Sequence, residues 1–229
     1  MNLRAHHWQD IYAKSEESQV SWYRPHLDTS LRLIDGLKLR ADSAFIDVGA
    51  GRSTLVEDLL ARGFRDVTAL DVSSAALAQA RRRMGLSGDL VRWMNYDLLD
   101  AKLPPNGYDV WHDRAVFHFL VNEKEQARYA EIAAESVRGG GYLLIATFAP
   151  DGPERCSNMV VRRYDAASLA ARFAPHFEPV AEEHEQHRTP MGSLQPFTYL
   201  LLRRVASEAD SEPEFDPDRD FEPNDYVEE

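Results

Sequence analysis

A chain of 229 residues, 44% of them apolar, is long enough for one α/β domain and its core. Nothing in it resembles a membrane span or a secretory leader, since the longest apolar runs, such as Tyr142 to Ala146, are strand-sized. The net charge of -12 is concentrated from Val205 onward, where 11 acids face the single base Arg219; the other 204 residues carry 27 acids against 25 bases and offer no basic field to a nucleic-acid backbone.

In chain order, residues 3–40 read as two helical stretches around a break at Ser21-Trp22-Tyr23-Arg24-Pro25, an N-terminal helical cap. The second stretch, Leu27 to Leu39, sets Leu27, Leu31, Ile34 and Leu37 on one face. Strand and helix signals then alternate. Ala44 to Val48 reads as a buried strand, Ser53 to Arg62 as a helix, Val67 to Asp71 as a strand, and Ser74 to Met84 as a serine-capped helix. Leu90 to Met94 and Tyr108 to His112 read as strands, Glu123 to Val137 as a helix stopped by Gly139-Gly140-Gly141, and Tyr142 to Phe148 as a strand. This alternation over residues 41–205 predicts a parallel sheet with helices on both faces.

The rhythm then changes. Ala149 to Val161 reads as a loop, Asp165 to Phe173 as a helix capped by Asp165, and Phe177 to His187 with Phe197 to Arg203 as a terminal strand pair. Residues 206–229 are acidic, contain Pro213, Pro217 and Pro223, and show no apolar period, which predicts a disordered tail. Asp216 to Asp220 has a superficial calcium-loop look, but Phe221 and Val227 stand where the turn glycine and the bidentate glutamate belong, so calcium is rejected.

The chemistry starts at Asp47-Val48-Gly49-Ala50-Gly51. A strand ends there, two glycines let the backbone turn and approach a ligand, and a helix begins. A dinucleotide fingerprint needs a third glycine where this chain has Thr54, and Asp47 would repel a pyrophosphate while suiting a cationic amino-acid ligand. Asp71 ends the second strand, 20 residues after Gly51, and a carboxylate there can accept both hydroxyls of a ribose; alone, such an aspartate is often a helix cap. Asp97 and Leu98 follow the third strand, where they suit either an adenine site or a solvated loop.

Together these features resemble class I S-adenosylmethionine (SAM)-dependent methyltransferases over residues 44–148, as a small single-domain, bacterial-type member. His7 to Tyr12 with Val20 to Tyr23 are similar to the N-terminal cap of that group. The resemblance implies a Rossmann-like, seven-stranded, mostly parallel sheet with an antiparallel C-terminal hairpin. It implies SAM as cofactor, with Asp47, Gly49, Ala50, Gly51 and His112 on its methionine, Asp71 and Val72 on the ribose, and Asp97 and Leu98 on the adenine.

The acceptor side falls after the fourth strand. His118 or Asp113 would contact or deprotonate the acceptor, and Arg114 would anchor an anionic group; the alternative is a structural Asp113–Arg114 pair and a packed His118. Tyr23 and Arg24, in the break between the first helices, are candidate substrate contacts, and Trp8, Tyr12 and Trp22 suit either a lid or ordinary packing. The lone Cys156 excludes an internal disulfide, points to a cytoplasmic chain, and is read as inert. His184 and His187 read as a solvated stretch, and no histidine spacing suggests a metal. The expected activity is methyl transfer to an O, N or S atom of a small molecule. A protein lysine acceptor, a nicotinamide oxidoreductase and a non-catalytic SAM-binding protein are the alternatives. A monomer or homodimer without nucleic-acid or membrane partners is expected.

Overall fold

The computed structural model describes residues 3–206, so the acidic tail lies outside the described residues. Helices α1 (Leu3–Lys14) and α2 (Asp28–Asp35) precede an alternating series: β1 (Ala44–Val48), α3 (Leu55–Ala61), β2 (Asp66–Asp71), α4 (Ser74–Met84), β3 (Val91–Asn95), β4 (Tyr108–Arg114), α5 (Glu123–Ser136) and β5 (Val137–Phe148). A two-residue hairpin, β6 (Arg155–Cys156) and β7 (Met159–Val160), leads to α6 (Ala166–Ala170), β8 (Phe177–Arg188) and β9 (Leu194–Arg204). The main sheet runs β3-β2-β1-β4-β5-β9-β8. Its first five strands are parallel, and β9 is antiparallel to both β5 and β8. This is the seven-stranded α/β sheet with a C-terminal antiparallel hairpin.

Side chains alternate across the strands and fill a core on each face. Ile46, Trp111 and Ile145 pack with Tyr129 and Ile132 of α5 and Leu169 of α6. Phe45, Val110 and Leu144 pack with Leu31 and Ile34 of α2, Leu55 and Leu59 of α3 and Leu77 of α4. Strand β1 is buried along its whole length, as its Ala-Phe-Ile-Asp-Val composition demands. Ser73, Asn122 and Asp165 cap α4, α5 and α6 by accepting from Ala76 N (3.3 Å), Lys124 N (2.8 Å) and Ser168 N (2.7 Å). No helix among the described residues is long and apolar enough to cross a membrane.

Three local expectations change. Helix α2 stops at Asp35, because Gly36 ends it and Leu37 falls outside. The three glycines do not stop α5, which already ends at Ser136. They lie inside β5, where Val137 pairs with Tyr108 and the register shifts before Val110. A Cβ on Gly141 would come within 2.9 Å of Asp109 O, so the glycine permits the close approach of β4 and β5. His187 is not solvated: it is fully buried, with Nε2 2.7 Å from Ser21 O.

The order of strands places β1 between β2 and β4, whose following helices lie on opposite faces. At this switch point the carboxyl ends of the strands open a crevice.

Candidate active site

The glycine turn after β1 is held to β2, with Gly49 N and Ala50 N donating to Leu70 O at 2.7 and 3.0 Å. Gly49 (φ 67°) and Gly51 (φ 54°) are left-handed. A Cβ at position 49 would sit 2.0 Å from Val116 Cγ2, and one at position 51 would sit 2.4 Å from Tyr12 Oη. Both conformation and space therefore demand glycine here. Thr54, at the place of a third dinucleotide-type glycine, instead donates its hydroxyl to Pro25 O at 2.7 Å.

Asp71 closes β2 and accepts from Gly51 N (2.9 Å) through one oxygen and from Ser73 N (2.7 Å) through the other. Burial pushes its carboxyl up to about 6, against the pull of those two N–H groups, with Asp47 adding repulsion. Each oxygen keeps a lone pair, which fits a ribose diol. Asp47 meets His112 Nδ1 at 2.7 Å, and His112 Nε2 meets Ser30 Oγ at 2.9 Å, so this pair is almost wholly buried and its geometry fixed from both sides. Asp97 accepts from Leu99 N at 3.1 Å and lies 3.5 Å from Arg4 Nη1.

Gly49, Asp71, Val72, Asp97 and Leu98 line a cleft together with the aromatic side chains of Trp8, Trp22, Phe119, Phe148 and Phe197. Asp47, Ala50, His112, Tyr23 and Arg24 line an adjoining pocket. Gly49, Tyr12, Trp22 and Arg114 border both. The turn, the strand-end acids and the N-terminal residues thus meet, as a bound SAM molecule requires. The glycine cradle and the two acids fit its methionine, ribose and adenine parts.

The structure places Asp113 and His118, the candidate catalytic residues, away from the cleft. Both are fully buried and neither borders the cleft or the pocket. Asp113 accepts from Val116 N (2.8 Å), Phe117 N (3.0 Å) and Tyr129 Oη (2.6 Å), which ties the turn after β4 to α5. It does not pair with Arg114. His118 Nδ1 accepts from Phe148 N at 3.3 Å, and its ring lies 4.5 and 4.7 Å from those of Phe119 and Phe148. Burial, with Arg114 nearby, pulls its imidazole down to about 3, so it is a neutral core side chain at neutral pH.

Residues 45–141 match the family model described as a methyltransferase domain. Over that stretch the chain is similar to methyltransferase domains, and it shares its fold with solved SAM-dependent methyltransferases. A methyltransferase of Burkholderia thailandensis, the 1,6-didemethyltoxoflavin-N1-methyltransferase solved with 1,6-didemethyltoxoflavin and S-adenosylhomocysteine, shares its fold with a TM-score of 0.62. It is 22% identical and aligns over 88% of this chain and 84% of that one. The mouse eEF1A lysine and N-terminal methyltransferase is 22% identical over 62% of this chain, which spans only 21% of that protein. An uncharacterized methyltransferase of Mycobacterium bovis is 29% identical over 51% of this chain and 56% of its own length.

The candidate site includes residues that sequence reasoning passed over. Gln9 Oε1 accepts from Ser73 Oγ (3.0 Å) and Ala75 N (3.2 Å), and Gln79 donates to Tyr12 O (3.1 Å), docking α1 on α4 beside Asp71. Phe119, Phe148 and Phe197 wall the cleft, yet in sequence they read only as core.

Proposed function

We propose that this methyltransferase transfers the methyl group of SAM to an O, N or S atom of a small molecule. The observation that carries the reading is the continuity of the cleft. Asp71 and Asp97 line the same cleft as Trp8, Trp22, Phe119 and Phe197, so a ligand on those acids would share one cavity with an aromatic wall. In this reading Asp47, Gly49, Ala50, Gly51 and His112 hold the methionine part, Asp71 and Val72 the ribose, and Asp97 and Leu98 the adenine. Tyr23, Arg24 and Arg114 face the acceptor, and residues 1–40 act as a cap over a core of residues 41–205. SAM supplies a methyl group made electrophilic by its sulfonium. The chain's residues are left to align the acceptor and exclude water. Trp8, Tyr12 and Trp22 perform the exclusion, their rings packed 5.7–6.2 Å apart.

The mouse relative's name motivates a protein lysine acceptor as the second reading. The test is calorimetric titration with SAM and NAD, followed by an assay of S-adenosylhomocysteine release over small-molecule acceptors and lysyl peptides. SAM heat with release on a small molecule is the expected result. Heat with NAD and none with SAM would overturn the reading, and release on peptides alone would replace it with the second.

A further inference from the structure

The cleft divides chemically. Asp71 and Asp97 are the carboxylates among its lining residues, while Trp8, Trp22 and Phe119 form one ring cluster of the wall and Phe148 and Phe197, with Arg114 over the latter, form another. Among the described residues lining the cleft there is no imidazole and, Asp71 and Asp97 apart, no carboxylate. The rings of Trp8 and Trp22 stand 5.7 Å apart at 82°, and those of Trp8 and Phe119 5.0 Å apart at 75°, so the wall presents ring faces and edges suited to a flat ligand.

Arg114 is the cation in this wall. Its side chain is 6% exposed and its guanidinium lies 4.5 Å over the ring of Phe197. Nε donates to Tyr199 Oη at 2.9 Å and Nη1 to Trp22 O at 3.3 Å, but the buried Nη2 has no hydrogen-bond partner. Around it stand Glu185 and His187 of β8, Tyr199 of β9, Arg24 and Cys156. Glu185 Oε1 forms long ion pairs with Nη2 and with Arg24 Nε, each at 3.8 Å and too far for a hydrogen bond, so Nη2 keeps its proton free for a closer acceptor. A buried donor left open in an aromatic compartment calls for an acceptor oxygen or nitrogen that carries charge.

We propose that the aromatic part of the cleft binds a planar aromatic acceptor bearing an acidic O–H or N–H, taken up in ionised form against Arg114. The proposal rests on the methyl-transfer reading and names its acceptor class. An ionised acceptor forms the new bond to the methyl carbon with its own lone pair, the pair of the breaking C–S bond returning to sulfur. No side chain then has to remove a proton, which agrees with a wall that holds no base. The guanidinium offsets the cost of burying that anion and holds the acceptor ionised. It repels a lysine ammonium.

The full chain with SAM is assayed for S-adenosylhomocysteine release on para-substituted phenols of graded acidity, with a lysyl peptide and an aliphatic amine for comparison. Phenols are expected to be turned over at least about tenfold faster in kcat/KM, with a pH midpoint of kcat that follows each phenol's acidity. Arg114→Gln should raise that midpoint by about one pH unit and KM about tenfold, and Arg114→Lys should restore much of both. SAM calorimetry on each variant reports the folded donor site. Independently of any variant, 4-nitrophenol should quench the tryptophan fluorescence of the S-adenosylhomocysteine-loaded protein at lower concentration above its own pKa than below it. Faster turnover of the peptide or amine, a kcat midpoint unmoved by Arg114→Gln, or quenching no stronger above the pKa overturns the proposal. So does SAM binding without turnover of any phenol, which leaves the donor site standing. Failure to bind SAM at all overturns the methyl-transfer reading itself.

Discussion

Asp71 shows how one side chain is committed to structure and still left available. Its two oxygens take the N–H groups of Gly51 and Ser73, which fixes both the glycine turn and the start of α4. Each oxygen retains a second acceptor site at the edge of the cleft. Replacing it with alanine removes the proposed ribose contacts and leaves two buried N–H donors unsatisfied. Asp71→Ala is therefore expected to weaken SAM binding by about 1.5–3 kcal/mol, roughly ten- to 150-fold. Titration calorimetry measures this directly, and an unchanged affinity would remove Asp71 from the ribose site. His118 and Asp113 mark the opposite case. In sequence they stand among polar residues at the mouth of a strand, where catalytic groups collect. The backbone after β4 folds inward, however, so Asp113 becomes an anchor for two N–H groups and His118 packs against Phe148. Nothing local in the sequence distinguishes an outward from an inward turn at that point.

At the scale of elements, the glycine turn and α1 are coupled. Tyr12 Oη lies over Gly51, and Arg52 donates to Ser15 O at 2.8 Å, so the first helix rests on the turn it covers. Gly51→Ala would force a left-handed alanine, at about 1 kcal/mol, and drive its Cβ into the Tyr12 hydroxyl. Tyr12 is itself buried against Trp8 and Trp22, so it has little room to yield. Gly51→Ala is expected to lower SAM affinity more than tenfold, and adding Tyr12→Phe should recover part of the loss by deleting the clashing atom. No recovery in the double variant would show that backbone strain alone is responsible. The same scale explains what was legible. Strand–helix alternation, the Asp47 to Gly51 turn and Asp71 declare themselves because each rests on local pattern or on one short spacing. The glycine triplet misleads, because its role depends on how closely β4 and β5 approach. The acceptor compartment is illegible for a related reason. Trp8, Trp22, Phe119, Phe148 and Phe197 come from distant parts of the chain, and an aromatic lining a cleft has the same local signature as one filling a core.

For the whole molecule, two buried carboxyls make stability and ligand binding depend on pH together. Burial pushes both Asp71 and Asp113 up to about 6, opposed by their hydrogen-bond donors. Their folded values lie above the unfolded value near 3.9, so between about pH 4 and 6 the native state holds more protons than the unfolded chain. The stability these two groups contribute is greatest at low pH and is lost as pH rises through 6, by about 3 kcal/mol each at 1.36 kcal/mol per unit. Ribose hydroxyls donating to Asp71 favour its ionised form, whereas Asp113 lies away from the cleft and contributes equally with and without ligand. The difference in Tm between SAM-loaded and ligand-free protein therefore isolates Asp71. At a SAM concentration of about 100 Kd the stabilisation is about 2.7 kcal/mol, or roughly 5–11 °C for a domain of this size. That difference is expected to be full near pH 7.5 and to shrink by about half at pH 5, where Asp71 must first lose a proton. In Asp71→Asn the difference should be smaller and flat across the same range. A wild-type difference that stays constant, or grows toward pH 5, would show that the ionisation of Asp71 does not govern SAM binding.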